Sequence, residues 1–129
     1  MKVVMMNYDF KVFWKGRLIY LHQFLKDNNI SFHAIELFGK GSPYGFDSAY
    51  KTSDSWWTCL FPGNSADEIE KEGMKKALFD HLDDLNPDVI IASSIVFFAG
   101  ALGMRWAKKN KKKFCTFSAN HFERTWNSF

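Results

Sequence analysis

The sequence has little cysteine. Cys59 and Cys115 show no metal-binding or redox spacing, which argues against a disulfide framework or a thiolate metal cluster. Both lie in apolar, strand-like surroundings and are expected as reduced, buried thiols of a cytoplasmic protein. Long apolar runs are missing as well. The longest uncharged run, Val89 to Met104, is broken by Ser93-Ser94 and two glycines and falls short of the ~20 residues that span a bilayer. The apolar start, Val3 to Met6, is far shorter than the ~7–15 residues of a secretory core. Repeats, low-complexity tracts and linkers are absent, so residues 1–129 read as one domain. A net charge of +3 is too small an excess to imply nucleic acid, and no part of the chain resembles an RNA-binding motif.

What is present is apolar and aromatic: 47% hydrophobic residues, with fourteen Phe and five Trp, which argues against disorder. Lys2 to Asn7 reads as a buried strand. Trp14, Leu18, Leu21 and Leu25 then follow helical spacing up to Asp27-Asn28-Asn29, and Ser31 to Phe38 is a second strand. Residues 39–54 read as a long loop, and Trp56 to Phe61 as a third strand. Ser65, with Glu68 three residues on, forms the capping-box pattern of a helix whose buried face is Ile69, Met74, Leu78, Leu82 and Leu85. Asn86-Pro87 stops it. Asp88 to Ala92 is a continuous apolar strand. Ser93 or Ser94 is placed to cap the next helix, with Ile95, Phe98, Leu102 and Trp106 on its apolar face, and Lys113 to Phe117 is the fifth strand. Strands alternating with helices predict an α/β fold, a mostly parallel open sheet with helices on both faces.

In such sheets ligands bind beyond the carboxyl ends of the strands, where strand order reverses. That rule gathers Asn7 and Asp9 after the first strand, Gly16 and Arg17 at a helix start, Ser93 and Ser94 after the fourth strand, and Ser118, Asn120, His121, Glu123 and Arg124 after the fifth. Duller roles exist for each: Asn7 and Asp9 as turn residues, Ser93 and Ser94 as caps. His121 and Glu123 make only an H-x-E pair, and GxGxxG is absent; no metal site is expected. His22, His33 and His81 fall inside predicted helices or a strand and read as structural. Arg105, Lys108, Lys109, Lys111 and Lys112, with Lys113, crowd nine residues at a helix end. They read either as a solvated helix terminus or as a patch for anionic lipid with Trp106 as interfacial anchor.

Two stretches, KGRLIYLHQFLKDNNISFHAIEL (Lys15 to Leu37) and LNPDVIIASSIVFFAGALGMRWAKKNKKKFCTFSANH (Leu85 to His121), resemble the N-terminal domain of GT-B glycosyltransferases, especially glycosyltransferase family 4. The resemblance implies the acceptor-side domain of a retaining enzyme that moves a sugar from a nucleotide-sugar donor, with no further cofactor, to a glycan or lipid-linked acceptor. It implies cytoplasmic work, peripheral at the inner membrane face, and a C-terminal donor-binding domain in cis or in trans. Gly16 would sit in the loop lining the cleft, and Ser93 and Ser94 would border the acceptor pocket. The family's histidine after the following strand falls on Ser118 in one register and on His121 after a three-residue shift; His121 is the expected catalytic group. The chain departs from the pattern in having a lone Gly16 where the family has two adjacent glycines, and Ser93 where a histidine is common. The family's E-x7-E pair and its second Rossmann-like domain are not found here, so the 129 residues are expected to be one wall of an interdomain cleft. The competing expectations are a stand-alone Rossmann-like or flavodoxin-like binding module without catalysis, and a membrane-associated scaffold recruited through the lysines.

Overall fold

A computed structural model describes residues 1–40 and 55–117, apart from the side chains of residues 11–13. Five strands, β1 (Lys2–Asn7), β2 (Ser31–Phe38), β3 (Trp57–Phe61), β4 (Val89–Ala92) and β5 (Lys113–Thr116), form one sheet in the order β3-β2-β1-β4-β5. Every pairing is parallel. Three α-helices connect them: α1 (Lys11–Asp27), α2 (Lys71–Leu85) and α3 (Phe98–Lys109).

Two cores follow from the period-2 alternation of the strands. On one face Val3 and Met5 of β1, Phe32 and Ala34 of β2 and Trp57 of β3 bury against Phe10 and Leu18 of the α1 region. On the other, Val4, Met6, Ile35, Leu37, Ile90 and Ala92 pack with Met74, Leu78 and Leu82 of α2 and with Ala99, Leu102 and Trp106 of α3. Helices on both faces of an all-parallel sheet are the Rossmann-like arrangement expected from the sequence. The central strand β1 is buried on both faces from Val3 to Met6, which explains the unbroken apolar run VVMM within it.

The helix boundaries differ from expectation in three places, each for a local reason. Ser65 and Glu68 do bond each other, the Ser65 amide and hydroxyl donating to Glu68 Oε1 at 3.0 and 3.1 Å. They close only a 3-10 turn over Ala66–Glu68, however, and Ile69 is extended before α2 starts at Lys71. The α1 helix begins at Lys11, earlier than its apolar periodicity, with Phe10 at its N-cap and no capping side chain. Gly16 and Arg17 therefore lie more than a turn inside α1, both exposed, and a Cβ on Gly16 would meet nothing within 4 Å. Gly16 is not in a cleft-lining loop. Finally, α3 starts at Phe98, so neither Ser93 nor Ser94 caps it; Ile95 stands outside the helix, exposed. Cys59 is buried as expected, but Cys115 is exposed on the edge strand β5.

Candidate functional site

The strand order reverses between β1 and β4. From β1 the chain moves through α1 on one face, and from β4 through α3 on the other. Their carboxyl ends, side by side, therefore open the crevice where such sheets bind ligands. Met6 pairs with Ala92, so Asn7-Tyr8-Asp9 and Ser93-Ser94 leave the sheet as neighbours. Two of the clusters singled out in the sequence are thus brought together. Ser118, Asn120, His121, Glu123 and Arg124 lie outside the described residues.

The first wall is firmly held. Asn7 Oδ1 accepts the Tyr8 amide at 2.8 Å, while the Tyr8 carbonyl accepts the amides of Leu37 and Phe38 at 3.1 and 2.9 Å. Phe10 is fully buried and packs edge-on to Trp14 and Trp57. Beneath it Glu36, also fully buried, accepts Trp57 Nε1–H at 2.6 Å. Burial, reinforced by the Glu36 carboxylate, pushes the neighbouring Cys59 thiol up to about 12, which leaves it protonated and without nucleophilic character.

The second wall is a turn. Ser93 is buried, and its hydroxyl has no partner among the described residues. Ser94 instead shapes the turn: its Oγ accepts the Val96 amide at 3.3 Å and its carbonyl accepts the Phe97 amide at 3.0 Å. Gly100 lets α3 come up against these carbonyls, since a Cβ there would sit 2.3 Å from the Ser93 oxygen and 2.5 Å from that of Ser94.

An unforeseen feature joins the walls. Phe61, Phe38, Tyr8 and Phe97 form a row of rings along the carboxyl edge of the sheet. Successive centroids are 5.7, 5.9 and 6.4 Å apart, stacked for the first two pairs and edge-on for the last. Those spacings lie in the favourable range for aromatic pairs. Each residue follows or ends a different strand, so the row exists only because the strands adjoin in this order. Composition signals a surplus of rings, but nothing in the sequence says which ones meet. A cavity of about 150 Å³ opens beside the row, lined by Tyr8, Asp9, Phe38, Lys40 and Ala66.

The opposite edge of the sheet holds a larger cavity, about 460 Å³, bordered by His22, Lys26, Phe32, His33 and Trp56. His22 already stacks on Trp56 there, with centroids 4.4 Å apart. His33 bonds Thr58 Oγ1 at 2.8 Å and lies 5.5 Å from the ring of His81. Burial first, then the neighbouring His81, lowers His33 to about 4; burial lowers His81 too. All three are half-buried and make packing contacts, the structural role the sequence suggested, and the topology puts the ligand crevice at the other edge. Arg105, Lys108, Lys109 and Lys111 are exposed at and just past the end of α3, with Lys112 half-buried, on the side away from the crevice. Trp106 is no interfacial anchor: it is buried and donates Nε1–H to Asp83 Oδ1 at 2.9 Å. No helix among the described residues is long and apolar enough to cross a membrane. Among the same residues no group of three or more His, Cys, Asp or Glu is placed to hold a metal ion.

The sheet order and the crevice define a Rossmann-like α/β domain. Among solved structures, the chain is similar to the UDP-GlcNAc 2-epimerase from Methanocaldococcus jannaschii, with a TM-score of 0.55 and 15% identity. The match covers 98% of this chain and 34% of the epimerase chain, so this chain spans about a third of that protein's length. At that identity the likeness carries the fold and no activity. No family model matches the chain, and no curated protein matches it.

Proposed function

We propose that this chain is the acceptor-side lobe of a retaining glycosyltransferase of the family 4 kind, working with a donor-binding lobe in cis or in trans. The observation that carries this reading is the chemistry of the β1–α1 turn at the crevice. Asn7-Tyr8-Asp9-Phe10 contains no glycine, so its backbone lacks the close approach that a pyrophosphate requires. Asp9 stands in that turn just before the N-cap of α1 and brings a formal negative charge to it, which disfavours a phosphate there. A wall of that kind suits a neutral glycoside better than a nucleotide, and the activated sugar belongs to the other lobe. Asn7, Asp9, Ser93 and Ser94 then orient the acceptor, and His121 approaches the reacting hydroxyl. Sugar transfer needs both walls, because positioning and electrostatic stabilisation act only in the assembled cleft. The basic end of α3 supports work at an anionic, cytoplasmic membrane surface.

Saturation-transfer NMR on the chain tests the division of labour. Acceptor glycosides are expected to bind, whereas UDP-sugars, UDP and flavin mononucleotide are not. Saturable nucleotide or flavin binding by this chain alone would replace the reading with that of a binding module. A second reading compatible with the shared fold is the corresponding lobe of a nucleotide-sugar epimerase. Mixing the chain with a donor-binding lobe separates the two: transfer to an added acceptor supports the first, and acceptor-independent conversion of UDP-GlcNAc to its 2-epimer supports the second.

A further inference from the structure

Apolar side chains exposed one at a time are ordinary on any surface. Three in succession at the mouth of a crevice are not. Ile95, Val96 and Phe97 are 48%, 84% and 53% exposed. Their exposure is fixed by the backbone. The amides of Val96 and Phe97 are bonded to Ser94, the Phe97 carbonyl accepts the Ala101 amide at 3.0 Å, and Gly100 wedges the turn against the start of α3. The turn cannot fold inward without breaking these bonds. Phe97 is also the outermost ring of the aromatic row, through its edge-on contact with Tyr8. Immediately before the turn, the Ser93 hydroxyl is buried without a partner among the described residues.

We infer that this turn, together with Tyr8, seats the hydrocarbon part of an amphiphilic acceptor: a glycoside bearing an alkyl or prenyl chain. The inference rests on the acceptor-side reading above and narrows it to lipid-linked acceptors. Area argues against a separate protein held by this patch alone. The three exposed side chains offer on the order of 300 Å², well under the ~800 Å² that each partner of a stable protein complex buries. Chemistry argues against a free glycan, since these side chains have no atoms to bond its hydroxyls and the two amides of the turn are already used. A single chain of several methylenes matches both the area and the lack of polar groups.

The test is methyl-detected NMR titration of the whole chain with paired methyl and octyl glycosides of common hexoses, the octyl forms below their critical micelle concentrations, and with 1-octanol. Each methylene removed from water adds about fourfold in affinity. With about half of the added methylenes removed from water, octyl glycosides are expected to bind on the order of 100-fold more tightly than their methyl partners, shifting the Ile95 and Val96 methyls. Val96→Asp and Phe97→Ser, both at exposed positions, are expected to weaken octyl binding at least tenfold and leave methyl-glycoside binding unchanged. Equal affinity for the two series would overturn the hydrocarbon seat while leaving the acceptor reading standing. No binding of either would remove both. Octanol binding as tightly as octyl glycosides, or octyl binding indifferent to both substitutions, would also overturn the inference.

Discussion

The two edges of the sheet each keep one buried polar atom without a partner among the described residues: Ser93 Oγ at the carboxyl edge and His81 Nε2 at the amino edge. They are unlike in consequence. His81 faces a second half-buried histidine, His33, and burial holds its pKa below the ordinary value, so its cost is a liability of the fold that grows with acid. Ser93 does not titrate, and it stands between a strand and a turn that expose apolar surface rather than hide it. The comparison separates an acid-sensitive packing compromise from a pH-indifferent one at the crevice, although both look the same in a tally of unsatisfied atoms.

The difference can be broken or sharpened experimentally. The largest effect is expected for Gly100→Ala. Its Cβ would collide with two backbone carbonyls that have no flexible end to yield, costing about 3 kcal/mol or more in chemical denaturation. A loss under 1 kcal/mol would mean that the turn at 94–97 is loosely held and its exposed side chains are not fixed.

Acid comes next. His33 sits below its unfolded value because burial and His81 favour the neutral ring. Between about pH 6.5 and 4 the unfolded chain therefore binds more protons than the folded one, and stability falls as pH drops through that window. With partial solvent screening the loss is roughly 2 kcal/mol. Urea midpoints at pH 7 and pH 4 measure it, and His33→Gln should flatten the dependence. An unchanged slope in that variant would assign the acid sensitivity to other groups.

Gly16→Ala is expected to stabilise by about 1 kcal/mol, since the position is an exposed helix interior with open space for a Cβ. Destabilisation instead would return Gly16 to a loop, as the family resemblance implies. Smallest is Ser93→Ala, which removes an unbonded buried hydroxyl and should change stability by no more than ~0.5 kcal/mol in either direction. A loss above 1 kcal/mol would reveal a partner for the hydroxyl within the fold and end its contrast with His81.

Much of the architecture was legible. β1 and β2 fall where continuous apolar runs place them, and Asn86, in a left-handed conformation with φ 47°, ends α2 as the Asn-Pro pair foretold. Helix starts were less legible. The Ser65–Glu68 pattern satisfies a 3-10 turn as well as an α-helix, and Phe10 begins α1 by being buried rather than by capping it. Of the candidate site, the ends of β1 and β4 were found from order along the chain. The ring row of Phe61, Phe38, Tyr8 and Phe97 was not, because its members are up to ninety residues apart on average-looking strand ends and meet only through lateral pairing. Trp106 misled for a related reason: beside lysines in sequence, it is buried and bonds Asp83 of the neighbouring helix α2 in space.

The position of β1 in the sheet has a consequence for synthesis. Its first partner, β2, is complete by Phe38, but its second, β4, begins only at Val89. At translation rates of 5–20 residues per second, the interval lasts roughly 3–10 s. During that time the apolar hairpin-less pair β1–β2 presents an open hydrogen-bonding edge to its surroundings. Lys2 waits equally long for Asp88, whose carboxylate takes its amide at 2.8 Å. The nascent chain thus passes through a stage in which its most buried strand is its most adhesive one, and chaperone demand during expression should be greatest there.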